Sequence, residues 1–293
     1  MHEIINRRAA NVAFAEAPGS WSEFAIALGR HASDADNRKS STPGERPRHF
    51  IDIDAVASPP FDDVPRTLDG FRKKYGADSP DRWGSVPWAI EECWEMLVLS
   101  FARGDWASAG AWGADLGHYV ADSHQPLHCT VNYDGQRTGN QGVHLRFEVM
   151  MMDRHFDEDV LEGVVASPDV ERPIDACFAW IAQAYEGLDA VLDADTAARA
   201  ADSAFGDAYY ATLWSATELV ATLQMERAVR DLAALYRAAW EEGGRPQPPN
   251  EPPPFRAQPR EVLDPPPAAE GPSPVAFVLA GLVIAGALVL RAL

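Results

Sequence analysis

The stretch "GHYVADSHQPLHCTVN", residues 117–132, holds three of the chain's eight histidines with Asp122 between the first two of them. His118 and Asp122 are four residues apart, so on a helix both project from one face, one turn apart. Pro126 must break that helix and turn the chain, which lets His128 return toward the same spot. After a loop punctuated by Gly135, Gly139 and Gly142, His144 and Glu148 repeat the four-residue spacing. One such pair alone is an ordinary solvated neighbour pair on a helix surface. Two pairs with His128 between them supply five nitrogen or oxygen ligands, more than a single ion uses. Imidazole with carboxylate at this density suits zinc and points to a centre of more than one metal.

The elements that must carry these residues read as helices. "PWAIEECWEMLVLSFARG" has a proline in its first turn and stops at Gly104, and Asp105 can cap the next helix, "WASAGAWGADLGHYVAD". A third helix is predicted from about Val143 through "HLRFEVMMMDRHFDEDVLEGVV", and others over roughly 173–194 and 207–242. "RHFIDIDAV" is the best strand-like piece and is short. The expected fold class is all-α, with long loops over 32–48, 52–86 and 129–142. No internal repeat is present. From Gly243 to Pro274 proline is too dense for helix or central strand, which predicts an extended spacer. The organisation expected is therefore a domain over 1–242, a Pro-rich linker over 243–274 and an apolar segment over 275–291.

That last segment, "VAFVLAGLVIAGALVL" followed by Arg291, has 16 unbroken apolar residues. As a helix it would span ~24 Å, slightly short of a ~30 Å hydrocarbon core, with Arg291 able to snorkel. It reads as a membrane anchor, and Arg291 on its far side predicts the domain outside the cytoplasm. Export needs a signal peptide, and "MHEIINRRAANVAF" lacks the basic-then-apolar pattern of one. The net charge of −19 disfavours unspecific binding to nucleic acid or anionic membrane, although bound metal ions would reverse the sign locally. Three cysteines, Cys93, Cys129 and Cys177, exclude a disulfide scaffold. A monomer is expected.

With these motifs in place the chain resembles the zinc-dependent phospholipase C and single-strand-specific nuclease superfamily. The phospholipase signature runs His-Tyr-x-Gly-Asp, then Pro-x-His, then Asn four further on. Here stand His118, Tyr119, Asp122, Pro126, His128 and Asn132, with departures at Ala121 and Ser123. The downstream His-x-x-x-Glu is matched by His144 and Glu148. Upstream, the family brings an aspartate from an Ala-Asp loop and a histidine about fifteen residues later. "HASDADNRK" and "RHFIDID" fit, giving Asp34 and His49, with Asp36 the competing choice for the aspartate. The resemblance implies that Asp34, His49, His118 and Asp122 bind one zinc, and that His128, His144 and Glu148 hold a second with an open position. His2, in "HEIINRRA", is similar to a histidine that shares a third ion with Asp122. In the family that ion also takes the amino group and carbonyl of an N-terminal tryptophan exposed by signal-peptide cleavage. No tryptophan precedes His2, so the expectation is a longer natural chain whose missing start carries signal peptide and tryptophan. Three zinc ions are expected with it, two without.

The implied reaction is hydrolysis of a phosphodiester, with Asp34 the candidate for orienting or deprotonating the attacking water. Substrate cues divide. Glu148 and the short loop between His128 and His144 resemble the phospholipases. "HFID" and "DSHQPLH" resemble the nucleases, whose aromatic and following aspartate bind a base; Phe50 and Asp52 occupy those places. Where a choline cage would need aromatic faces the chain has Ala35 and Arg46, and Arg46 suits an anionic group better. The alternatives are a single-strand-specific nuclease or 3'-nucleotidase, and a degenerate metal-binding surface domain without activity. His124 reads as a partner behind the ligands, His31 and His155 as surface or packing residues, and Met150, Met151 and Met152 as core filling.

Overall fold

The computed structural model describes residues 1–168, 170 and 172–255, and among these the chain is helical, with no strand. The helices are α1 (His2–Ala13), α2 (Ser22–His31), α3 (Asp34–Arg38), α4 (Leu68–Tyr75), α5 (Ser79–Trp83), α6 (Val86–Arg103), α7 (Trp106–Ser123), α8 (Val143–Leu145), α9 (Met152–His155), α10 (Pro173–Glu186), α11 (Leu188–Ala201) and α12 (Asp207–Glu242). A π-helical turn, Arg146–Met151, joins α8 to α9.

α7 is the central element, buried from Ser108 to Ser123, and α1, α2, α3, α6, α10 and α12 all pack on it. Its start follows the expected chemistry: the Asp105 side chain accepts from the Ser108 backbone N–H at 3.1 Å. α6 ends on Gly104 in a left-handed conformation. The small residues of α7 explain why so many neighbours fit. A Cβ on Gly117 would stand 2.1 Å from Asn6 Oδ1 of α1, so only glycine permits that approach. Asn6 in turn accepts from the Tyr236 hydroxyl of α12 at 2.8 Å. Edge-to-face rings of Phe14, Trp21, Phe24, Phe101, Trp106 and Trp240 tie α1, α2, α6, α7 and α12 together.

Several expectations are corrected. "RHFIDIDAV" makes a single bridge, Ile51 to Gly84, between 3-10 turns at Arg46–His49 and Ile53–Ala55. Phe50 is extended there, but no second strand lies alongside. The region 173–194 is two helices that meet at Gly187. The expected loop 32–48 contains α3, and 52–86 contains α4 and α5. Past the end of α12 at Glu242 the chain stays against the helices. Trp240 Nε1 donates to Pro246 O at 2.9 Å, and Pro248 packs over Gly19. Phe255 seats its ring where a Cβ on Gly110 of α7 would be, 2.0 Å away, edge-on to Phe24. The remainder of the Pro-rich linker and the apolar run 275–291 lie outside the described residues. Among those described, no helix is long and apolar enough to cross a membrane.

Candidate metal centre

His118 and Asp122 leave α7 on one face, as their spacing requires, and both are buried. After α7 ends, Gln125 leads into a 3-10 turn, Pro126–His128, which brings His128 back beside Asp122. The loop that follows is held by Asp54, whose carboxylate accepts from Thr130 Oγ1 at 2.7 Å and Val131 N at 2.9 Å. It delivers His144 on α8 and Glu148 on the π turn. Arg146, between them, donates to the fully buried Asp195 of α11 at 2.8 Å and to Asn140 O at 3.1 Å.

The ligand atoms converge. Asp122 Oδ2 lies 2.9 Å from His49 Nδ1 and 3.2 Å from His118 Nε2. Its other oxygen lies 3.2 Å from His128 Nδ1 and 3.7 Å from His2 Nε2. His128 Nε2 stands 3.0 Å from His144 Nε2, which is 2.7 Å from Glu148 Oε2. Three-ligand groups form at His49, His118 and Asp122, at His128, His144 and Glu148, and at His2, Asp122 and Glu148. A fourth joins Asp36 to His2 and His118.

Asp36, and not Asp34, is thus the aspartate that α3 turns inward. Its Oδ1 lies 3.5 Å from His118 Nε2 and 3.6 Å from His49 Nδ1. Two residues apart on a helix, the two carboxylates point to nearly opposite sides. Asp34 instead pairs with His31 Nδ1 at 2.8 Å, outside the cluster. The ligation and water-activating role expected of Asp34 therefore have no geometric basis there. The other expected ligands, His2, His49, His118, Asp122, His128, His144 and Glu148, are brought together. His124 turns away, to Asp231 at 3.0 Å and the face of Trp180. Cys129 directs its thiol to backbone carbonyls.

The hydrogen bonds behind the ligands match what a metal needs. His118, His128 and His144 each set Nδ1 against a backbone carbonyl: Ala32 at 2.7 Å, His49 at 2.9 Å and Tyr133 at 3.1 Å. A carbonyl only accepts, so these Nδ1 atoms carry the hydrogens and the neutral rings aim Nε2 lone pairs inward. Two such lone pairs 3.0 Å apart, as at His128 and His144, repel unless a proton or a metal ion lies between them. Without metal, protons take that place. Burial works to lower both His118 and His128, but the Asp122 carboxylate holds each up to about 10, with Asp36 helping at His118 and Glu148 at His128. Burial works to raise Asp122, yet His118 and His128 hold it well below the usual carboxylate range. His128 and His144 do the same for Glu148. His2, half-buried and stacked with its ring centroid 4.0 Å from that of His118, is held down at about 3 by desolvation and by His118. The donor set and its spacing fit zinc.

The cluster opens on a cavity of about 540 Å³. Its lining includes His2, Asp36, His49, Asp122, His128, His144 and Glu148, together with Arg46, Phe50, Asp52, Asp81, Arg82 and Tyr133. Burial, with Asp54 nearby, pushes Asp52 up to about 7. Lys39 also lines the cavity, 2.6 Å from Asp36. The only mark of Lys39 in the sequence is its place three residues after Asp36, which puts both on one helical face. No protein-family model matches the chain, and no protein of curated function matches it.

Proposed function

We propose that the chain is a zinc-dependent phosphodiester hydrolase with three adjoining metal positions. The observation that carries this reading is the sharing of Asp122: one oxygen faces His49 and His118, the other faces His2 Nε2, and His2, His49 and Asp122 border one open cavity with His128, His144 and Glu148. A purely structural zinc site is closed by its own ligands and has no reason to line a cavity. Asp36 with His49, His118 and Asp122 would hold one ion, His128 with His144 and Glu148 a second, and His2 with Asp122 and Glu148 a third. Zinc bound there would supply charge for the phosphoryl oxygens and a water acidic enough to react near neutral pH.

The chain's own residues do the rest. Burial works to raise Asp36, but His118 and Lys39 hold it well below the usual range, so it is a carboxylate at any working pH. From the cavity wall it can orient a water by accepting its hydrogen bond. Lys39 and Arg46 give the cavity cationic groups for a phosphodiester, on a chain whose overall charge would repel one. The Glu148 ligand and the short loop before His144 favour a phospholipase C-like substrate.

A second reading, a nuclease of single strands, is favoured by Phe50 and Asp52 sharing that cavity. Phe50 offers a ring for base stacking. Asp52, near neutrality at about 7, can donate as well as accept a hydrogen bond to a base edge. The test is a parallel assay of zinc-loaded chain on phospholipid and on single-stranded DNA and RNA, with Asp122→Asn as control. Hydrolysis of either substrate that Asp122→Asn abolishes supports the proposal; loss of nucleic-acid hydrolysis alone in Phe50→Ala assigns the substrate. Two or more bound zinc ions with no hydrolysis refute it, and fewer than two favour a degenerate domain.

A further inference from the structure

Four imidazoles belong to the two histidine-rich groups, and one of them is turned around. His118, His128 and His144 rest Nδ1 on main-chain carbonyls and present Nε2 to the cluster. His49 presents Nδ1, which lies 2.9 Å from both His118 Nε2 and Asp122 Oδ2. A ring that ligates through Nδ1 carries its hydrogen on Nε2, and here Nε2 is buried. It forms no hydrogen bond of good geometry here, and the carboxylate beside it is Glu45, whose Oε1 lies 3.4 Å away, within ion-pair range. Glu45 is completely buried, one turn before His49.

The carboxylate is itself tied to the flanks of two other ligands. The hydroxyl of Tyr119, beside His118, donates to Oε1. Arg38, two residues after Asp36, sets Nε 3.6 Å from Oε2 and also meets Asp115 at 2.7 Å. Arg38 supplies the countercharge that a buried carboxylate requires.

We propose that Glu45 is the positioning residue for His49, a carboxylate behind an imidazole that keeps Nδ1 directed at the metal position and strengthens it as a donor. The role rests on the reading of the cluster as a metal centre. It differs from the carbonyl supports of the other three rings in that a side-chain substitution can remove it without touching any ligand. Loss of such an outer partner weakens metal binding about 10–100-fold.

The test compares the full chain with Glu45→Gln, Glu45→Ala and Tyr119→Phe. Glu45→Gln keeps the volume and guards against simple misfolding in Glu45→Ala; far-ultraviolet circular dichroism of each metal-free protein reports the fold. Zinc binding is read by competition with a chromophoric chelator, and the ligand field by the visible absorption of the Co2+-loaded chain. The expected result for both Glu45 variants is one ion held about 10–100-fold more weakly, the others unchanged, with a shifted Co2+ band. Tyr119→Phe, which removes a different bond to the same carboxylate, keeps wild-type affinity and spectrum. Wild-type zinc affinity and Co2+ spectrum in folded Glu45→Gln overturn the proposal. Equal weakening in Tyr119→Phe also overturns it, by assigning the effect to a loosened buried network. A wild-type chain that takes up neither metal overturns the metal reading itself, and the Glu45 role with it.

Discussion

Zinc affinity should climb steeply with pH, and the structure sets the slope. In the metal-free chain His118 and His128 are each held up to about 10, chiefly against burial by the Asp122 carboxylate they share. A metal ion takes the lone pair that the proton occupies, so each histidine must shed one proton on binding. His2, held down at about 3, is already neutral and adds nothing to the slope. His118 and His128 serve different ion positions, so each of these two ions displaces one proton and its apparent dissociation constant falls up to about 10-fold per pH unit, or about 1.4 kcal/mol. Histidines with the ordinary value of about 6.5 would release almost nothing above about pH 7.5. The assay is chelator competition from about pH 7 to about pH 8.5, with calorimetry in two buffers of different ionisation enthalpy to count protons directly. A flat profile above about pH 7.5, with no buffer dependence, would refute the protonated pair and with it the role given to Asp122 in holding it.

Other outcomes follow from the same geometry. Asp36→Ala should weaken zinc binding by at least the factor of about 10–100 that loss of an outer partner costs. Asp34→Ala, which breaks a surface pair with His31, should leave zinc binding unchanged and cost under about 1 kcal/mol; chelator competition and urea unfolding of both variants decide between the two aspartates. Asp195→Ala should destabilise the chain by about 3–5 kcal/mol in urea, because it leaves the buried Arg146 guanidinium without its carboxylate. Phe255→Ala should lower stability by about 1 kcal/mol, and Gly110→Ala should do the same by displacing that ring. Metal-free chain should melt at lower temperature as pH rises from 6.5 toward about 10. The raised histidines contribute stability that is complete below their unfolded value and is lost as pH passes through their folded one. Zinc should remove that decline in a scanning-calorimetry series.

The parts of this centre that the sequence made legible are those whose geometry is local. His118 with Asp122, and His144 with Glu148, are one helical turn apart in any helix, and a Pro126 turn after α7 returns His128 whatever else the chain does. The limits of α6 and α7 were legible for the same reason, in Gly104 and Asp105. Asp34 against Asp36 was a different problem. Both sit on a helix of five residues inside a segment read as loop, and local preference does not say which side of α3 faces His49 and His118. Ala35 before Asp36 was the one available signal. Asp195 is defined by its distant partner Arg146, and Glu45 by Tyr119 and Arg38; its spacing of four from His49 is by itself that of an ordinary neighbour pair. Phe255 was hidden by its setting, since a proline-rich stretch reads as solvated spacer and a single aromatic anchors it only where Gly110 leaves room. The π turn was likewise out of reach, because Arg146–Met151 is composed of residues that suit an ordinary helix. What selects it is tertiary: Arg146 must point back to Asp195 while His144 and Glu148, two residues to either side, point into the cavity. Those demands concern neighbours on one short segment, and the wider turn is how the backbone meets them together.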